Sequence, residues 1–172
     1  MPRSPLADAF AHHVWATLKL IDTCETLSDE QLQTSAPGVY GSIIDTLRHI
    51  VASDRGYLAV VSGGRVERMD DERLTLAAAR SVMELDGEEW ARVLAELDDP
   101  ERVVVRQRPD GSANRSPAGI RLAQALHHGT DHRSQICTIL TTLGIEPPDI
   151  DVWEFGVQHG RVQEVAAPAT KA

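Results

Sequence analysis

The chain has few cysteines and no long hydrophobic run, and each shortage narrows the classes of protein to which it can belong. Its two cysteines, Cys24 and Cys137, are too few for a disulfide framework and fit a reducing compartment. No stretch of about 18 consecutive apolar residues is present, so we predict no membrane-spanning helix. Residues 1–20 lack the uninterrupted apolar segment of a signal peptide, which predicts a cytoplasmic protein.

Basic residues are fewer than acidic ones, 17 against 26. The formal net charge of the chain is -9, so most of its surface repels phosphate backbones and anionic lipids. We therefore predict neither a nucleic-acid partner nor a membrane partner. Hydrophobic residues make up 42% of the 172 residues, enough for the core of one domain. We place that domain at residues 1–160 and predict a frayed tail over residues 161–172, where large apolar groups are rare.

Helical periodicity dominates the chain. Four long segments repeat apolar residues at helical spacing, at about residues 6–27, 42–63, 74–97 and 120–143. Between the third and fourth segments, residues 102–108 are rich in β-branched side chains, and a Pro-Asp-Gly turn follows them. This order predicts an all-α fold: an up-and-down four-helix bundle with a small β-hairpin between helices three and four.

Histidines on the fourth predicted helix indicate a metal-binding site. His128 and His132 are four residues apart, which places both rings on one face of a helix at the border of its apolar side. The helical phase of His127 differs, and we predict that its side chain points to solvent. Neutral imidazoles are common ligands of zinc and nickel, and a third histidine such as His49 would complete a set with one position left for water or substrate.

His49 is not supported by periodicity alone. It lies roughly 150° or more from the centre of the apolar stripe of the second helix, which favours an ordinary exposed histidine. It would face the site only if that helix had a second inner surface.

Three further polar residues lie within apolar stripes. Asp54 and Arg133 are ionisable, and an unpaired buried charge is strongly unfavourable, so we expect each to have a partner. We predict that they contact each other or the metal ligands. His13 lies in the apolar stripe of the first helix and is a candidate to orient a ligand from behind.

Together these segments resemble the DinB/YfiT-like superfamily of metal-dependent enzymes, a bacterial family of four-helix bundles. The similarity covers nearly the whole chain and includes residues 12–16 (HHVWA), 41–50 (GSIIDTLRHI) and 122–136 (LAQALHHGTDHRSQI). The resemblance implies that one divalent ion, zinc or nickel, is held by His49, His128 and His132. The resemblance thus makes His49 a ligand, although periodicity alone favours an exposed residue. It also implies a homodimer.

The resemblance further implies a reaction class. Some members of that family are S-transferases that use low-molecular-weight thiols, so we expect a small-molecule substrate of this kind. The same ion can activate water instead, so a metal-dependent hydrolase is an alternative. A third hypothesis is that the protein is a non-catalytic dimeric helical bundle. No general base is assigned, and Asp54, Arg133 and His13 are expected to lie behind the ligands.

Overall fold

The architecture is predominantly helical. The structure is a computed structural model that describes residues 4–70, 74–163 and 165. Within these residues the chain forms six helices and two strands: α1 Pro5–Cys24, α2 Asp29–Leu32, α3 Ile43–Val61, α4 Leu76–Glu96, β1 Val103–Gln107, β2 Ala113–Pro117, α5 Ala118–Thr142 and α6 Val152–Gln158.

Local sequence signals explain where the helices begin. The hydroxyls of Ser42 and Thr75 accept hydrogen bonds from backbone N–H groups in the first turns of α3 and α4. Ser28 and Gln31 form a complete capping box at α2. At the far end of the chain's longest helix, Gly144 adopts a φ of 72°, the left-handed conformation that commonly ends a helix.

Each of the four long helices packs against two others, so α3 is covered on two sides. Helix α3 contacts both α5 and α4, and α1 contacts both α4 and α5. Side chains of these helices form the core, with fully buried Leu47 on α3, Leu20 on α1 and Ile136 on α5. The pairing of α3 with α5 sets the position of the candidate site, because those helices carry the three predicted ligands.

The predicted hairpin is confirmed between α4 and α5. Strands β1 and β2 are antiparallel, and Arg106 is the cross-strand partner of Asn114. Val104 is buried, so one face of the hairpin covers the helices. The mostly helical fold with a small two-stranded sheet therefore agrees with the prediction, while the up-and-down order of a four-helix bundle stays a prediction.

The end of the chain is described only in part. The backbone N–H groups of Arg161 and Val162 both donate to the carbonyl oxygen of Gly156, and the Arg161 guanidinium binds Asp8 at 2.6 Å. Of the predicted frayed tail, residues 164 and 166–172 lie outside the described residues. No helix among the described residues is long and apolar enough to cross a bilayer.

Candidate metal centre

The structure brings three histidines together between α3 and α5. The candidate ligand atoms of His49, His128 and His132 all lie within 4.8 Å of one another, and the rings are half-buried. The Nε2 atoms of His49 and His128 are 3.0 Å apart. Two nitrogens bound to one zinc ion at about 2.0–2.1 Å lie roughly 3 Å apart or slightly more, so this spacing fits a shared ion.

His49 faces the site because α3 is covered on two sides. The expectation of an exposed His49 from periodicity is wrong: its ring centroid lies 4.9 Å from that of His128 and 5.0 Å from that of His132. Thr46, one turn earlier on the same side of α3, is fully buried. The apolar stripe of α3 marks only one of its two inner surfaces, and the histidine lies on the other.

A glutamine fixes the orientation of His132. The Nδ1 atom of His132 lies 2.9 Å from Oε1 of Gln135, and the Tyr40 backbone N–H donates to the same oxygen at 3.1 Å. An amide oxygen only accepts hydrogen bonds, so Nδ1 of His132 carries the proton. The lone pair is then on Nε2, as a metal ligand requires. Such outer partners hold ligating imidazoles in position.

Two tyrosines flank the histidines. The Tyr40 ring stacks on the His49 ring with a centroid distance of 4.2 Å and an interplanar angle of 16°. Tyr57 approaches His128 edge-on at 5.7 Å, and its hydroxyl accepts a hydrogen bond from Gln124 at 3.3 Å. These aromatic contacts limit rotation of the imidazoles, and together with the neighbouring histidines they partly desolvate the site.

His128 is adapted to remain neutral. Burial lowers its pKa to about 4, and the neighbouring His132 and His49 add to this effect. An imidazole must be deprotonated to bind a metal ion. A lowered pKa therefore weakens the competition between protons and metal at this one ligand.

A buried polar network joins α1, α3, α4 and α5. Asp54 is only 2% exposed; its Oδ1 accepts a hydrogen bond from Nε2 of His13 at 3.0 Å, and its Oδ2 accepts one from Nε1 of Trp90 at 2.8 Å. The Nη1 atom of Arg133 lies 3.0 Å from Nδ1 of His13 and 3.2 Å from the hydroxyl of Thr17.

The geometry determines the tautomer of His13. A guanidinium can only donate, so Nδ1 of His13 accepts from Arg133, and Nε2 carries the proton that is donated to Asp54. Burial lowers the pKa of Arg133 to about 10, opposed by Asp54, and the side chain stays cationic at neutral pH. The predicted direct contact between Asp54 and Arg133 is corrected, because the neutral imidazole of His13 stands between the two charges.

His127 and the two cysteines are not among the three residues that could hold the metal. His127 is exposed, as its phase predicts. Burial raises the pKa of Cys24 to about 12 and raises that of Cys137. Both thiols therefore stay protonated near neutral pH, and neither is suited to act as a nucleophile.

Four residues near the site were not predicted. Trp90 has a chemical signal in the sequence, because a buried indole N–H needs an acceptor and a buried Asp54 needs a donor. Gln135 is three residues after His132, a spacing that places them side by side on a helix. Tyr40 and Tyr57 had no comparable signal. Tyr40 lies in the loop before α3, where periodicity carries no information.

Taken together, a mostly helical fold and a group of three histidines able to hold a metal ion define a class of helical proteins with a candidate metal centre. Within that class, a model of the DinB family matches residues 1–161, and the chain belongs to this family. It is also similar to Protein DinB of Bacillus subtilis (strain 168), at 22% identity over 157 residues that cover 85% of this chain and 91% of the relative.

Proposed function

We propose that this protein is a metal-dependent S-transferase that binds one zinc- or nickel-class ion and a low-molecular-weight thiol. The observation that supports the metal site is the convergence of the ligand nitrogens of His49, His128 and His132 within 4.8 Å. When bound there, a divalent ion lowers the pKa of a coordinated thiol, so that the sulfur is nucleophilic near neutral pH.

The chain's own residues serve to orient and desolvate the reactants in this proposal. Gln135 holds His132 in the tautomer that offers Nε2, and Tyr40 stacks on His49. The described residues supply three ligands, which leaves coordination positions for a small molecule. The ion would supply the acidification of the thiol, whose proton would pass to solvent, so no general base is assigned to a protein side chain.

The first test measures the metal. Purified protein should retain about one ion per chain, and His132→Gln should remove tight binding because it removes one of three nitrogen ligands. His127→Gln is the matched control, since His127 is the exposed neighbour of His128 on the same helix. Inductively coupled plasma mass spectrometry after dialysis measures the content. Equal loss of metal in both variants would contradict the site.

The second test distinguishes a thiol from water. The native ion is replaced by cobalt, and mycothiol, bacillithiol or glutathione is added. A sulfur-to-cobalt charge-transfer band that saturates with thiol, and is absent in His49→Ala, supports the transferase. If no thiol changes the cobalt spectrum and the protein hydrolyses esters or amides, the hydrolase alternative replaces it. If neither occurs and a protein side chain completes the coordination, the ion is structural.

A further inference from the structure

The surface between α3 and α5 continues beyond the three histidines. On α5, Arg121 precedes His128 by seven residues; seven residues are nearly two turns, so the two share a face about 10 Å apart along the axis. On α3, Gly56 follows His49 at the same spacing. Tyr57 touches His128 and is hydrogen-bonded to Gln124, so the two helices run antiparallel here and Gly56 lies beside Arg121.

Arg121 is held at this position by the hairpin. Its side chain is 9% exposed, its Nε donates to Oγ of Ser116 at 2.9 Å, and its Nη2 donates to Oδ1 of Asn114 at 2.6 Å. Arg106 is the cross-strand partner of Asn114, so the two side chains lie on the same face of the sheet. The Nε atom of Arg106 is buried and has no hydrogen-bond partner among the described residues.

A third guanidinium approaches from the segment after α3. The Nη2 atom of Arg68 lies 3.9 Å from the position that a Cβ on Gly56 would occupy, so Arg68 lies close to the α3 backbone. Arg68 and Arg106 also line a cavity of about 500 Å³ between α3 and β1. Within the described part of the chain, Arg68 forms no hydrogen bond or salt bridge, and its guanidinium is available to a ligand.

The three arginines have no acidic partner among the described residues. None of them forms a salt bridge there, although the net charge of the chain is -9. Burial lowers the pKa of Arg68, and Arg106 and Arg121 lower it further; burial and Arg106 likewise lower the pKa of Arg121. The cations of Arg68 and Arg121 are thus destabilised by burial and by the neighbouring arginines, and a bound anion would relieve that repulsion.

We propose that Arg68, Arg106 and Arg121 bind an anionic group of the substrate, a carboxylate or a phosphate, while its reacting atom lies at the three histidines. Guanidinium groups match the planar geometry of these anions and bind them with two parallel hydrogen bonds. The substrate is then a small acid whose anionic group is separated from its reacting atom by at least the nearly two helical turns between Arg121 and His128. Tyr57 and Gln124 line the surface between the two ends.

This assignment rests on the proposed function for the position of the reacting atom, but anion binding itself does not. The experiment therefore uses metal-free protein, in which an anion cannot bind to the metal. Inorganic phosphate and succinate are titrated separately by isothermal calorimetry into the wild type, Arg68→Gln, Arg106→Gln and Arg115→Gln. Arg115 is the matched control, because it is exposed on β2 and faces away from Asn114 and Ser116.

We expect saturable binding of at least one anion, with the tighter of the two identifying the group as phosphate or carboxylate. Arg68→Gln should weaken binding about tenfold, the loss expected for one hydrogen bond to a charged group, and Arg106→Gln should do the same. Arg115→Gln should bind as the wild type does. Because Arg68 makes no hydrogen bond to the described residues, its loss leaves the fold intact, which far-UV circular dichroism verifies.

Two results would overturn the proposal. One is the absence of saturable binding of either anion. The other is equal weakening in Arg68→Gln and Arg115→Gln, which would mean that only net charge matters. A failed thiol test with the metal-loaded protein would leave the anion result standing, and the reverse also holds, so the two proposals fail separately.

Discussion

Asp54 is a formally charged residue in the interior, and its neighbours explain how the fold tolerates it. Two N–H donors, from His13 and Trp90, occupy the two carboxylate oxygens, and the cation of Arg133 lies on the far side of the His13 ring. Every one of these groups depends on the next, because a buried donor without an acceptor carries the full cost of its lost hydration. The network therefore behaves as one unit.

The first prediction at this scale concerns Asp54→Ala. This change leaves two buried N–H groups without an acceptor and Arg133 without a counter-charge, so we expect the free energy of unfolding to fall by about 3 kcal/mol or more. Urea denaturation measures the change. Asp131→Ala is the control, since Asp131 is exposed on α5 and its loss should cost less than about 0.5 kcal/mol. Equal effects in the two variants would contradict the network.

At the scale of elements, the approach of α1 to α5 depends on one glycine. An ideal Cβ at Gly129 would lie 2.4 Å from Cε1 of His13 and 2.9 Å from Nη1 of Arg133, so no larger residue fits without movement. Gly129 is inside α5, where glycine costs about 1 kcal/mol relative to alanine. The helix accepts this cost because the glycine lets the His13 ring reach the space between α3 and α5.

We accordingly expect Gly129→Ala to destabilise the protein by about 1–3 kcal/mol, despite the gain in helix propensity, because the methyl group overlaps a buried ring. Gly56→Ala provides the matched comparison: its Cβ would lie 3.9 Å from the nearest side-chain atom, an ordinary contact, and should leave stability unchanged or higher. Thermal denaturation of both variants measures the difference. Stabilisation by Gly129→Ala would show that α1 and α5 are not packed as described.

For the whole molecule, the histidine cluster links stability to pH. The pKa of His128 is lowered to about 4 in the folded protein, against 6.5 for the free side chain. Between these values the unfolded chain binds more protons than the folded chain does. Stability therefore rises with pH through this window and is lost as the pH falls. Asp86 acts in the opposite direction, since burial raises its pKa to about 7.

The corresponding prediction uses a comparison in which the effect of Asp86 cancels. In the presence of a chelator, the free energy of unfolding of wild type should fall more steeply between about pH 6.5 and pH 4 than that of His128→Gln, which has no proton to gain at this position. Urea denaturation at a series of pH values measures both slopes. Parallel curves for the two proteins would mean that His128 titrates alike in the folded and unfolded states.

The sequence by itself determined the long helices, the hairpin and the position of His128 and His132 on one face of a helix, because these follow from spacing along the chain. Capping residues such as Ser42 and the Pro-Asp-Gly turn act on neighbouring backbone atoms only, so they can be read without tertiary structure. The burial of Asp54 and Arg133 was predicted in the same way, from their phase within apolar stripes.

Only the tertiary structure decided what these side chains meet. Periodicity measures the angle of a residue from the apolar stripe of its own helix, and it cannot show that α3 is covered on a second side, where His49 lies. The position of His13 between Asp54 and Arg133 depends on how closely α1 approaches α5 at Gly129. Contacts between residues that are distant along the chain are set by helix docking, which no local pattern encodes.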